Sequence, residues 1–358
     1  MSFDFVERVE RRVNRGVFNV FFVLFVKFMV KNHYFCKMKK SILTSVICVL
    51  LLAMLFSCGN SNSSCKKSHY VIASLRGPSS LGMLQLIDSL NNTENTTVEI
   101  KILNEPLQVR KMMLDGSADF AVLPTTMAAL LYNKGVGYRL AAISTWGTLY
   151  LCGNDTTIHT WNDLRHNKIH LMAKNMTPDV LFRYLLKKNR LEPYQDVSLD
   201  YRFPNHIDLA NATTAGIAPM SVLSEPYLSY AMIKNDNIHI IMSLHDEWEK
   251  VEGFEMPETA FICKGEMIEN DLLFVEKIVK IYEKSADWVN ENVDDAAALA
   301  VKYEIVGDEG AARNAIPRSN LRVARSEDVK DLVMNYLNVF YNMDSAIVGG
   351  KMPDEKFY

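Results

Sequence analysis

From residue 70 onward, short β-branched apolar runs alternate with longer stretches whose apolar residues recur at helical spacing. Segments 70–75 (YVIASL), 98–103 (VEIKIL), 118–123 (ADFAVL), 138–145 (YRLAAIST) and 148–152 (TLYLC) predict strands. Helices are predicted between them. LGMLQLIDSL follows Ser79 or Ser80 as N-cap, 107–114 ends at Asp115-Gly116, and MAALLYNKG is opened by Pro124-Thr125-Thr126. The rhythm then restarts with a strand at 168–173 (KIHLMA) and the helix VLFRYLLKKN, whose start carries Thr177 as N-cap and Pro178 in the first turn. A strand at 197–201, a helix at 206–215 and a run at 216–223 into Ser224-Glu225-Pro226 follow, then a strand at 237–242. Segment 259–263 (TAFIC) reads as a return strand, and everything after Met267 as helical.

Strands alternating with helices across short connections predict an α/β protein built from βαβ units. The restart predicts two lobes, residues 69–150 plus 259–358 and residues 151–258. Two crossings, near 149–154 and 259–264, would join them. Three strand-to-helix turns should face the cleft: 77–80, 124–126 and 175–179, with 224–226 as a fourth. Such turns lie at strand carboxyl ends, where open α/β sheets bind ligands. Their hydroxyls and free N–H groups suit a carboxylate, sulfonate or phosphate.

The front of the chain is of a different composition. Met38-Lys39-Lys40 precedes the apolar run SILTSVICVLLLAMLFS and then Cys58, the order of parts in a secretory signal. Leu55-Phe56-Ser57-Cys58 resembles the bacterial lipobox, in which a signal peptidase cuts before the cysteine and its thiol carries a diacylglyceryl group. Residues 38–57 are therefore expected to be a lipoprotein signal peptide and 58–68 (starting CGNSNSSCKKS) a tether, with Cys58 lipidated. A plain transmembrane helix over 41–57 is the competing reading; the run is at the short end for a bilayer. Residues 1–37 precede a signal that has its own Met and read as an upstream extension.

Charge and cysteine content narrow the function classes. The 358 residues hold 39 Lys+Arg against 42 Asp+Glu. Residues 1–57 carry nine of the basic and three of the acidic residues, leaving −9 on the rest. That balance gives no reason to expect nucleic acid. Cys36 and Cys48 go with the signal, Cys58 is the lipid site and Cys65 lies in the tether, so only Cys152 and Cys263 fall in the folded part. Both sit at the expected crossings, as two buried thiols or as neighbours able to pair. The eight histidines are too scattered for a metal site, and no GxSxG, P-loop, GxGxxG or HExxH is present. Neither metal nor cofactor is expected.

On spacing alone, Ser79, Ser80, Thr125, Thr126 and Thr177 are helix caps as readily as ligand contacts. Glu225 beside Pro226 either answers a helix dipole or accepts from a donor or cation on a ligand. Trp146 is either core packing or an aromatic wall of the cleft.

Several segments together resemble the substrate-binding proteins of bacterial ABC importers, in the branch handling nitrate, sulfonates, taurine and thiamine-precursor pyrimidines. They are ASLRGPSSLGM at 73–83, DGSADFAVLPTTMAALLYNKG at 115–135, GTLYL at 147–151, NMTPDVLFRYLLKKN at 175–189, LSEPYLS at 223–229 and GGKMPDEKFY at 349–358. The resemblance implies a two-lobed periplasmic-binding-protein fold of type II with a hinge, C-terminal helices and a solute in the cleft. It implies a monomeric, non-enzymatic protein held by its lipid at a bacterial membrane on the periplasmic side, with a permease and its ATPase as partners. By position it places Gly77, Pro78, Ser79, Ser80, Thr125, Thr126, Thr177 and Glu225 nearest a small polar or anionic solute. Relatives often carry Asn where this chain has Thr126, and Pro where it has Ser224, so no named solute is transferred. The same fold serves enzymes resembling the thiamine-pyrimidine synthases and the menaquinone-pathway enzymes; the Cys-rich motif of the eukaryotic pyrimidine synthase is absent here. A lipoprotein that senses rather than transports is the third reading.

Overall fold

The chain divides into two units, Met1–Lys66 and Lys67–Tyr358. The computed structural model describes residues 69–92 and 97–358. The expected signal peptide, tether and Cys58 lie outside the described residues. Among the described residues no helix is long and apolar enough to cross a membrane.

The first lobe opens with β1 (Tyr70–Leu75), α1 (Pro78–Gly82), α2 (Leu84–Asn91), β2 (Val98–Leu103), α3 (Pro106–Leu114), β3 (Phe120–Pro124), α4 (Thr125–Asn133) and β4 (Tyr138–Thr145). The second lobe holds β5 (Leu149–Gly153), β6 (Lys168–His170), α5 (Thr177–Lys188), β7 (Ser198–Asp200), α6 (His206–Thr214), β8 (Met220–Ser224), α7 (Tyr227–Lys234), β9 (His239–Ser243) and α8 (Leu244–Glu252). The chain returns through β10 (Thr259–Lys264), α9 (Gly265–Asn270), α10 (Leu272–Glu291), α11 (Val293–Lys302), α12 (Glu309–Arg318), β11 (Leu321–Arg325) and α13 (Ser326–Met343).

Two sheets result, ordered β11-β4-β10-β3-β1-β2 and β7-β6-β8-β5-β9. β1 runs parallel to β2 and β3, and β6 parallel to β7 and β8, as βαβ units require. The strand that enters each lobe runs against its neighbours: β5 lies antiparallel between β8 and β9, and β10 antiparallel between β3 and β4. β1 and β3 are covered on both faces and so read as continuous apolar runs.

Apolar burial joins as well as fills the lobes. One core lies under α10, α11 and α12, where Tyr282, Ala297 and Ile316 meet the first sheet. A second runs through both lobes. α13 packs on α4 and on α5, and its Tyr336 and Phe340 set their rings 5.3 and 6.2 Å from the buried Trp248 of α8.

Some expectations differ from what is found. The segments expected as crossings are strands, and the crossings themselves are 146–148 and 253–258, just upstream of each. The C-terminal part is not all helix: β11 is a short strand whose buried Leu321 and Val323 alternate with exposed Arg322, too brief a pattern to stand out between helices. Helix α8 was not expected; it buries a narrow stripe, only Leu244 and Trp248. Met176, not Thr177, caps α5. Asp179 accepts from the Asn175 N–H (2.7 Å) and closes the turn one residue early. Ser79 and Ser80 lie inside α1, because Gly77 at φ 142° turns the chain before Pro78.

Candidate functional site

A cavity of ≈ 110 Å³ lies between the lobes, small beside typical ligand sites of about 300–1,000 Å³. Its first-lobe wall is the β1–α1 turn, Arg76 to Ser79, with Pro124 at the end of β3. The second lobe supplies Thr177, His206, Ser224, Glu225 and Tyr227. Thr148 of the first crossing and Glu258 of the second complete it.

The sequence-expected residues divide on this geometry. Gly77, Pro78, Ser79, Thr177 and Glu225 line the cavity. Ser80 is fully buried, accepting from the Gly77 N–H (3.1 Å) and donating to the Gly77 carbonyl (3.0 Å). Thr125 donates its hydroxyl to the Pro257 carbonyl (2.7 Å), and its N–H bonds the Glu258 carbonyl (2.9 Å), so it ties α4 to the second crossing. Thr126 meets Thr177 hydroxyl to hydroxyl at 2.7 Å, joining the first turns of α4 and α5. This is a closed arrangement, since one helix belongs to each lobe. Trp146 lies behind the hinge: its Nε1–H donates to the Arg322 carbonyl (2.8 Å), and the Arg322 guanidinium sits 4.0 Å from the ring.

Glu225 is fully buried and already partnered. Arg318 Nε–H donates to it at 2.6 Å and the Ser229 N–H at 3.1 Å, while Arg318 Nη2 reaches the Ser229 hydroxyl (2.6 Å). Burial raises its carboxyl above the usual range, against the pull of Arg318. α12, which carries Arg318, packs on α7 of the second lobe, so the ion pair spans the lobes. Expected as an acceptor for ligand, Glu225 spends one carboxylate oxygen on this tie.

Glu258 behaves differently. Its oxygens accept from the Thr148 N–H (2.6 Å) and hydroxyl (3.1 Å), linking the two crossings. Among the described residues it has no ion-pair partner, and burial pushes it up to about 7. At the other end Arg76 is steadied by Nε–H donation to Asn104 (2.7 Å). Beside it the His206 ring stacks on Tyr227 at 5.1 Å and bonds Ser224 Oγ through Nδ1 (2.9 Å). Burial lowers His206 to about 4, so the ring is neutral at pH 7.

Sequence reasoning missed Arg76, Thr148, His206 and Glu258. Arg76 carried a signal, as a cation at the end of β1 directly before the Gly77-Pro78 turn. Glu258 carried none, because its meeting with Thr148 spans 110 residues.

Among the described residues no group of three or more His, Cys, Asp or Glu side chains is placed to hold a metal. Cys152 and Cys263 are buried and unpaired, one in each sheet, and burial pushes both thiols up to about 12. A thiol so protonated is a poor nucleophile.

No family model matches the chain. It is 25% identical over 198 residues to the putative binding protein YtlA of Bacillus subtilis, a match covering 54% of this chain and 57% of that one. The chain thus spans little more than half the length of that curated relative. A crystal structure of an ABC transporter from Parabacteroides distasonis superposes with TM-score 0.71 at 25% identity, covering 81% of this chain and 98% of the other. The periplasmic aliphatic sulphonate binding protein SsuA of Escherichia coli superposes with TM-score 0.63 over 77% of this chain and 87% of its own. At 12% identity that likeness shows the fold alone. Fold and relatives agree with the resemblance carried by the motif loops: the chain is similar to the substrate-binding proteins of ABC systems and has their two-lobed α/β architecture.

Proposed function

We propose that the chain is the solute-binding lipoprotein of an ABC importer. It captures a small polar or anionic solute between its two lobes, and presents the closed form to a membrane permease served by an ATPase. Cys58 is the lipid anchor that keeps it on the periplasmic side of a bacterial membrane. The observation that carries this reading is the interlobe cavity, whose polar groups come from both lobes and both crossings. Contacts available only when the lobes meet, such as Thr126 with Thr177, make closure responsive to a solute that favours the closed state. A solute that touched one lobe alone would shift nothing.

The test uses the full-length chain in detergent, unfolded and refolded to strip carried-over solute. Alkylsulfonates, nitrate, taurine, aminopyrimidines and small carboxylates are screened by thermal shift. A ligand at a hundred times its dissociation constant adds about 2.7 kcal/mol of stability. A rise with one class, weakened by Thr177→Val, supports solute capture, and no rise across the panel removes it. Mass spectrometry of the protein from its native membrane, with Cys58→Ser as control, decides the lipid separately.

A further inference from the structure

We propose, resting on the solute-binding reading above, that Glu258 and Arg76 select a solute bearing both an anionic group and a protonated or N–H-rich amino group. The cavity holds three charged side chains, and they are not equivalent. Glu225 is satisfied internally by Arg318 and Ser229. Glu258 and Arg76 are each held in place by neutral partners: Thr148 for the carboxylate, Asn104 for the guanidinium. Among the described residues neither makes an ion pair. Each is therefore left without an internal counter-charge and is open to pair with whatever enters.

Placement separates the two charges. Glu258 sits at the hinge end, where its carboxylate joins the two crossings. Arg76 sits on the β1–α1 turn beside the stacked pair of Tyr227 and His206. A carboxylate facing a small cavity without a counter-cation is costly, and it recovers that cost when a ligand ammonium or amino group supplies the missing charge or donor. An anion at Arg76 is recognised by the remaining guanidinium N–H groups in the same way. A purely anionic solute satisfies one end and leaves Glu258 without a donor. The elevated affinity of Glu258 for a proton fits a carboxylate that lacks a cationic neighbour.

The same residue has a second consequence. Thr148 bonds Glu258 through its N–H and hydroxyl, and the Glu258 N–H bonds the Thr145 carbonyl (3.1 Å). The group that meets the amino end of the solute is thus built into the joint about which the lobes move.

The experiment is isothermal titration of the refolded full-length chain in detergent with a matched set. β-Alanine carries both groups, propionate only the anion and propylamine only the cation. β-Alanine is expected to bind at least tenfold more tightly than either half. Glu258→Gln, which keeps an acceptor for the Thr148 N–H, should cost β-alanine tenfold while leaving propionate within twofold. Arg76→Gln should weaken β-alanine and propionate alike and leave propylamine unchanged. Circular dichroism confirms that each variant is folded, and Glu258→Asp should recover part of the β-alanine affinity. Propionate binding as tightly as β-alanine, or Glu258→Gln leaving β-alanine unaffected, overturns the selection while solute capture stands. Silence from all three probes while another solute of the wider panel binds also overturns it alone; silence from both sets removes the binding reading as well.

Discussion

Replacing Arg318 with Met tests whether the interlobe ion pair is structural. Glu225 is completely buried, with two nitrogen donors, Arg318 Nε and the Ser229 amide, at 2.6 and 3.1 Å. Arg318→Met removes the charged donor, and Met fills much the same length of apolar stem. A buried carboxylate stripped of its cation typically costs 3–5 kcal/mol. Because the Arg318 side chain is 29% exposed, water recovers part of that, and about 3 kcal/mol is the expectation. The loss should shrink as pH falls, because Glu225, already raised by burial, can then be neutralised by a proton. Glu225→Gln with Arg318→Met removes the uncompensated charge and should recover most of the stability. Urea unfolding followed by tryptophan fluorescence at pH 8 and pH 5 reads all four members of the cycle. A cost below about 1 kcal/mol for Arg318→Met at pH 8, or strict additivity in the cycle, would refute the claim that this pair ties the lobes.

Glu258 makes stability depend on pH in a defined window. Its folded value is about 7 against an ordinary 4.5, so the folded state holds the proton more tightly. Its own contribution is therefore greatest below about 4.5 and falls by up to about 3 kcal/mol as pH rises through 7, and Glu258→Gln should remove that component from the pH dependence of thermal melts between pH 4.5 and 8. Thr126→Val loses the hydroxyl contact with Thr177 and should cost about 1 kcal/mol of closure, a roughly fivefold population shift toward open lobes. Small-angle X-ray scattering reads it as a larger radius of gyration. Gly147→Ala should distort the first crossing, because Gly147 sits at φ 92° and a Cβ there would lie 2.6 Å from the His245 Cβ. A loss of about 2 kcal/mol or more in urea unfolding is expected, and an unchanged midpoint would refute the steric argument.

The fold was legible because its strongest signals are local. β1, β2 and β4 have the bounds their β-branched runs predict, and the Gly77-Pro78 turn marks the first loop. What escaped depends on distant partners. α8 buries Trp248 against Tyr336 and Phe340 of a helix far later in the chain, and its own sequence, LHDEWEKVE, is mostly polar. At the site, hydroxyls at strand ends identified the right loops but not the division of labour among them. Thr177 faces the cavity and also meets Thr126, whereas Thr125 and Ser80 are consumed by backbone carbonyls and amides. Glu225 carried a recognisable motif, yet its partner Arg318 lies 93 residues away, and no local pattern announces that the carboxylate is already engaged.

The position of β10 bears on the order in which the molecule assembles. It is an interior strand of the first sheet, pairing Ala260 with Leu123 on one side and Ile143 on the other. As the chain emerges from the ribosome, β1 to β4 come out early. β3 and β4 then expose unpaired edges until the whole second lobe has been made. The second sheet, by contrast, is closed by strands that lie within residues 149–243. The lobe inserted in the middle is thus free to fold first, while the lobe holding both ends of the described chain waits for its central strand. That interval, rather than the finished structure, is where the protein is most exposed to aggregation.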